Sequence, residues 1–160
     1  KIDREAKNGD PLAVHFPIAH VNGSEYDFSF SGLKTSVINM LHRADQKGEI
    51  IDKNDLSASI QHTISEIITE KTMGAAEAYG YKKIALAGGV SANRELRRRM
   101  EEECKSRGYE LFVPELRYCG DNAAMVGVQA YYEYKKNYNF SVPSVVDIMY
   151  VFPGICTGRV

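Results

Sequence analysis

Two segments of the chain place residues of suitable type and spacing for chemistry. In Ala85-Leu86-Ala87-Gly88-Gly89-Val90-Ser91-Ala92-Asn93-Arg94 an apolar run meets two adjacent glycines and then opens a helical pattern. Adjacent glycines let the backbone approach a ligand closely, and the free N–H groups of a helix start attract phosphate or carboxylate. Asn93, in the first turn, both donates and accepts, which suits a ribose or an acyl group. The pattern is neither the G-x-G-x-x-G fingerprint nor a P-loop, and the plain alternative is a tight turn with Ser91 or Asn93 capping a helix. The second segment, Pro114-Glu115-Leu116-Arg117-Tyr118-Cys119-Gly120-Asp121-Asn122-Ala123-Ala124-Met125-Val126, is again a loop after an apolar run that opens a helix. A carboxylate at that entry is stabilised by the helix N-terminus, and Asp121 can hold a divalent cation with partners from elsewhere or simply cap the helix. Cys119 is either a softer ligand or a packed thiol.

The elements that must position these residues follow from periodicity. Ile2 to Lys7 reads as a short polar helix stopped by Asn8-Gly9-Asp10-Pro11, followed by a short strand over 13–16 and a polar loop over 20–27. Phe28-Ser29-Phe30-Ser31 alternates as a half-buried strand does, and Gly32 separates it from a helical run, Leu33 to Ala44. Leu56, Ile60, Ile64, Ile67, Ile68, Met73 and Ala75 recur at three- and four-residue steps and predict one face of a long helix ending near Tyr79-Gly80. Strands over 83–87 and 110–113 alternate with helices over 92–107 and 121–135. That order predicts an α/β fold, a parallel sheet covered by helices, with ligands at the carboxyl ends of its strands. Residues 141–160 suit an extended tail or an edge strand.

Composition narrows the function classes. The chain has 160 residues, 44% of them apolar, enough for one globular domain with a core. Its net charge of -1 creates no overall field for nucleic acid or an anionic membrane, so any RNA contact must be local or made through a partner. No apolar run approaches a membrane span, and the first residues lack the pattern of a signal peptide, so a cytoplasmic protein with no membrane association is expected. Cys104, Cys119 and Cys156 form no C-x-x-C pair, which predicts reduced thiols and no all-cysteine metal site. His15, His20, His42 and His62 contain no H-E-x-x-H, which excludes a zincin-type protease centre. The arginines at 94, 97, 98 and 99 make one helix basic, but Glu101-Glu102-Glu103 follow, and a solvated face with internal pairs is expected ahead of a phosphate-contact surface. The chain opens without Met on a helical turn, as one half of a longer protein would.

Four segments together resemble the signatures of the TsaD (Gcp, "glycoprotease") family. They are Ala87-Gly88-Gly89-Val90-Ser91-Ala92-Asn93-Arg94, Cys119-Gly120-Asp121-Asn122-Ala123-Ala124-Met125, Asp27-Phe28-Ser29-Phe30-Ser31-Gly32-Leu33-Lys34-Thr35 and Lys1-Ile2-Asp3, the end of a Gly-led motif. The resemblance covers roughly residues 1–136. It implies the C-terminal lobe of an ASKHA fold over residues 1–138, with its sheet incomplete here, and a tail of uncertain structure over 139–160. It further implies transfer of a threonylcarbamoyl group from threonylcarbamoyl-adenylate to the adenine 3′ of the anticodon in tRNAs that read ANN codons. By position, Asp121 resembles a ligand of the family's single divalent metal, Fe or Zn, completed by two His of an N-terminal half that this chain lacks. Asp3 and Asn93 resemble adenylate contacts, and Gly88 and Gly89 would let the phosphate or ribose come close. The implied partners are tRNA, a paralogous ASKHA subunit (TsaB-like) and a small ATPase (TsaE-like); the exposed sheet edge points to self-association. Gly120 departs from the family's usual Thr or Ser. Three alternatives remain on the sequence: a metal-dependent O-sialoglycoprotein endopeptidase, the older family label; a sugar or acetate kinase-like ASKHA lobe; and a non-catalytic interaction lobe.

Overall fold

The computed structural model describes residues 2–18, 23, 25–137 and 149–151. They fall into two compact units, Lys1–Ala75 with Asn93–Glu103, and Ala76–Ala92 with Cys104–Val160.

The first unit is helical. Helix α1 (Ile2–Glu5) tightens into a 3-10 turn, Ala6–Asn8, where the glycine of the predicted stop sequence ends it. Gly9 is there for a close approach: a Cβ on it would collide with the Asn54 carbonyl at the start of α3 (Lys53–Tyr79). The same junction is tied by the Asp10 N–H to Asp55 Oδ1 at 2.8 Å, by Ser59 Oγ to the Asp10 carbonyl at 3.3 Å, and by the Val14 N–H to Ser59 Oγ at 3.1 Å. The strand expected at 13–16 therefore does not form, because the Val14 donor is taken by a helix side chain instead of a sheet partner. The strand expected at 28–31 is also absent. Phe28 and Phe30 turn their rings on each other at 5.4 Å, and all the strands among the described residues belong to the other unit. Helix α2 (Ser31–Lys47) begins before Gly32, which sits in its first turn and breaks nothing.

Asp52 starts α3 by accepting from the Asn54 N–H at 2.7 Å. The predicted apolar stripe is present, with Leu56, Ile67, Ile68, Met73 and Ala75 buried, but the burial is wider than one face. Ser59, Thr63, Ser65, Thr69 and Thr72 are buried too, whereas Ile60 and Ile64 are half-exposed. Small hydroxyl side chains let neighbouring backbone come close, and a helix can satisfy them internally, as Thr63 Oγ1 does by donating to the Ser59 carbonyl at 2.9 Å.

The second unit carries a three-stranded sheet of β1 (Lys83–Leu86), β2 (Glu110–Phe112) and β3 (Met149–Val151), in the order β2-β1-β3. All pairings are parallel, with Lys83 opposite Glu110 and Ile84 opposite both Leu111 and Met149. Central β1 buries Ile84 and Leu86. Strands β1 and β2 are connected in sequence through helix α4 (Arg94–Arg107), as a parallel connection requires. Helices α3 and α4 both end in a Schellman motif: Tyr81 N–H reaches the Ala76 carbonyl and Tyr109 N–H the Cys104 carbonyl, each at 2.8 Å. Helix α5 (Ala123–Asn137) starts two residues later than predicted and leaves Met125, Val126, Val128, Tyr131 and Tyr132 exposed. No helix among the described residues is long and apolar enough to cross a membrane.

Candidate functional site

The candidate residues are divided between the two units, and each unit assembles its own group. In the first, Asp3 on α1 meets the start of α4. Its carboxylate accepts from Arg94 Nε at 3.0 Å and from the Arg94 backbone N–H at 3.4 Å, while Arg94 Nη2 donates to the Asp3 carbonyl at 2.6 Å. Asn93 precedes the helix and caps it, Oδ1 accepting from the Leu96 N–H at 3.0 Å. The capping alternative is thus realised by Asn93. It uses the acceptor oxygen and leaves the amide Nδ2 without a hydrogen bond among the described residues. Sequence reasoning singled out Asp3 and Asn93 but not Arg94 as the partner of Asp3; a charge pair spanning the chain leaves no local signal.

In the second unit the Gly88-Gly89 turn follows β1. Gly88 has φ of +80°, a backbone region that L side chains rarely enter, and a Cβ at either glycine would meet nothing within 4 Å. The main chain here faces open space. The buried Ser91 hydroxyl donates to the Gly88 carbonyl at 2.6 Å and closes the turn over the short 3-10 stretch Gly89–Ala92.

The second loop follows β2 and holds Asp121. Because β1 and β2 are paired and parallel, both loops leave the same end of the sheet, the carboxyl end, where α/β sheets bind ligands. Asp121 is exposed and its carboxylate has no hydrogen bond or ion pair among the described residues. The cap of α5 is Asn122 instead, accepting from the Met125 N–H at 3.1 Å and donating from Nδ2 to the Gly120 carbonyl at 2.9 Å. The alternative in which Asp121 caps the helix is corrected on that ground, although the spacing of Asn122 to Met125 marks that cap in the sequence as plainly as Asp121 does. Cys119 is buried, its thiol directed at the Glu115 carbonyl 3.5 Å away, which is packing geometry. No group of three or more His, Cys, Asp or Glu among the described residues could hold a metal ion. Asp121 thus stands as one exposed carboxylate with no other His, Cys, Asp or Glu gathered beside it into a metal-binding group among the described residues.

The basic helix resolves into pairs. Arg98 forks onto Glu95 at 2.6 and 2.9 Å and reaches Glu102 at 2.7 Å; Arg99 binds Glu95 at 3.0 Å and donates to the His62 ring at 2.8 Å. The Arg98 hydrogen bond holds the Glu95 carboxyl below the usual carboxylate range against an opposing push from partial burial, with Arg99 assisting, and the same contact raises the Arg98 pKa. His15 and His42 are exposed, and His20 and Cys156 lie outside the described residues.

Residues 1–128 match the family described as TsaD: tRNA N6-adenosine threonylcarbamoyltransferase. Among curated proteins, the chain is 42% identical over 142 residues to the tRNA N6-adenosine threonylcarbamoyltransferase of Clostridium botulinum, covering 89% of this chain and 42% of that protein. It is 43% identical over 134 residues to that of Moorella thermoacetica, covering 84% and 39%. To that of Bacillus licheniformis it is 47% identical over 136 residues, covering 84% and 40%. The chain thus spans about 40% of the length of the relatives it matches.

Proposed function

The chain belongs to the TsaD family, and from that membership we propose that it is the C-terminal, ASKHA-type lobe of a tRNA N6-adenosine threonylcarbamoyltransferase. In this reading the whole protein moves the threonylcarbamoyl group from threonylcarbamoyl-adenylate to the adenine 3′ of the anticodon in ANN-decoding tRNAs. The adenine N6 amine forms a bond to the carbamoyl carbon, the bond from that carbon to the adenylate oxygen breaks, AMP leaves, and one amine proton is released.

One observation carries the reading for this chain's own residues. The Gly88-Gly89 turn and the Asp121 loop leave the carboxyl ends of neighbouring parallel strands, so an open backbone surface and an unpaired carboxylate stand at one end of one sheet. The glycines suit close approach of a ribose or phosphate; the free amide of Asn93 and the remaining lone pairs of Asp3 suit the polar edge of an adenylate. In this reading the work of such residues is positioning, and holding two reactants in line is where much of the barrier to an acyl transfer can be removed. Asp121 is the residue here that would hold the family's divalent metal, Fe or Zn, with two His from outside the chain. When bound, such an ion supplies Lewis acidity and a template for the acyl end. The TsaB-like and TsaE-like partners and the cytoplasmic location belong to the same proposal.

The test is modification of an ANN-reading tRNA by the protein at full length, comparing wild type with Asp121→Ala and Asn93→Ala and quantifying bound metal in each. Loss of transfer in both, with loss of metal in Asp121→Ala, supports the assignment. Retained transfer and retained metal would reduce these loops to structural turns.

A further inference from the structure

Outside these loops, helix α2 and the connection after it line an open surface depression of about 380 Å³ in the first unit. Ser36, Asn39, Arg43 and Lys47 line it from one face of α2, at the three- and four-residue steps that stack side chains along a helix, and Met40 contributes an apolar wall. Lys47 is already compensated, its ammonium 3.6 Å from Glu49 across the mouth.

Arg43 is different. The other arginines among the described residues have partners: Arg4 on Glu5, Arg94 on Asp3, Arg98 and Arg99 on Glu95, Arg107 on Glu77, Arg117 on Glu115, and Arg97 is also engaged. Arg43 has neither an ion pair nor a hydrogen bond among the described residues, and the side chains of Ser36 and Asn39 are likewise without a hydrogen bond there. Among the lining residues the one carboxylate, Glu49, is paired with Lys47, which leaves the exposed Arg43 guanidinium, beside two neutral donors, as the uncompensated charge of the lining.

We propose that this depression is a contact site for a backbone phosphate of the RNA substrate, with Arg43 as its anchor and Ser36 and Asn39 as neutral donors. The inference rests on the RNA-acyltransferase reading above. A phosphodiester carries one negative charge, which matches the one uncompensated cation; a terminal phosphate of a free nucleotide carries more and would call for a second. The planar guanidinium offers two parallel N–H donors to two phosphate oxygens, and the apolar wall at Met40 suits the adjoining sugar. A net charge of -1 gives this chain no overall attraction for RNA, so a contact it makes itself is a local one.

The experiment is titration of the full-length protein with an ANN-reading tRNA at several salt concentrations, for wild type, Arg43→Ala, Arg43→Lys and Glu49→Gln, with transfer rates at saturating tRNA. Arg43→Ala is expected to weaken binding roughly tenfold. It should also make the dependence of log affinity on log salt shallower by about 0.7 to 0.9, the release of one phosphate's counterion. Arg43→Lys should keep the salt slope, Glu49→Gln should steepen it by freeing Lys47, and the rate at saturation should not change. Unchanged affinity and slope in Arg43→Ala, with wild type binding and modifying the tRNA, overturns this site and leaves the family reading intact. A wild type that neither binds nor modifies tRNA overturns both.

Discussion

Asp3 and Arg94, separated by 91 positions, are joined through Arg94 Nε to the Asp3 carboxylate at 3.0 Å and Arg94 Nη2 to the Asp3 carbonyl at 2.6 Å. Helix α1 is only four residues long, too short to persist by itself, so its geometry comes from such tertiary ties. The pair is substantially exposed, and exposed pairs contribute about 0.2 to 1 kcal/mol, so its effect is to aim Asp3 more than to stabilise the unit. Asp3→Asn should therefore leave the melting temperature of the protein nearly unchanged while raising KM for the adenylate donor. A large drop in melting temperature with unaltered KM would make Asp3 a structural residue.

Asn93 offers a way to separate cap from ligand. Aspartate caps a helix as well as asparagine does but has no N–H to donate, so Asn93→Asp should preserve stability within a few tenths of a kcal/mol and still depress transfer. Asn93→Ala should lose about 1 kcal/mol as well. Chemical denaturation and single-turnover transfer on the same variants read the two effects apart. Full activity in Asn93→Asp would assign the residue to capping alone.

Asp121 and Asn122 are adjacent but have opposite consequences. Asp121→Ala removes an exposed carboxylate with no partner here and should lower bound metal and transfer without affecting folding. Asn122→Ala removes the α5 cap and the Gly120 tie and should cost about 1 kcal/mol of stability. Elemental analysis beside thermal unfolding checks both.

Gly9 makes a prediction about packing. Because a Cβ there would strike the Asn54 backbone, Gly9→Ala must shift the segment that carries α1, at a cost of about 1 to 3 kcal/mol. Donor binding through Asp3 should suffer with it. Unaltered unfolding in Gly9→Ala would refute the close approach.

Glu95 sets a pH dependence. Its carboxyl is held low in the folded protein by the Arg98 hydrogen bond, so folding favours the ionised form. The stabilisation is fully present above the ordinary carboxylate pKa of about 4.3 and is lost as pH falls through the lowered folded value. Glu95→Gln should flatten the acid limb of the stability curve and leave stability at neutral pH only slightly reduced. An unchanged acid limb would show that the Arg98 contact is not held in solution.

The sequence by itself marked a long helix ending near Tyr79-Gly80, strands over 83–87 and 110–113, the helix between them and the glycines at their turns, and the structure has these at 53–79, 83–86, 110–112 and 94–107. These follow from periodicity and local backbone preference, which act over a few residues. It also marked Gly88, Gly89, Asn93 and Asp121, because their motifs are contiguous. Only the tertiary structure decided that Val14 and Phe28–Ser31 form no strand, since a strand needs a partner and the Val14 donor finds Ser59 instead. Only it tied Asp3 to Arg94 and set Arg99 against His62, whereas the internal pairs of the basic helix were expected from its spacing. The Val14–Ser59, Asp3–Arg94 and Arg99–His62 contacts join groups tens of residues apart in the chain, and no local pattern records them.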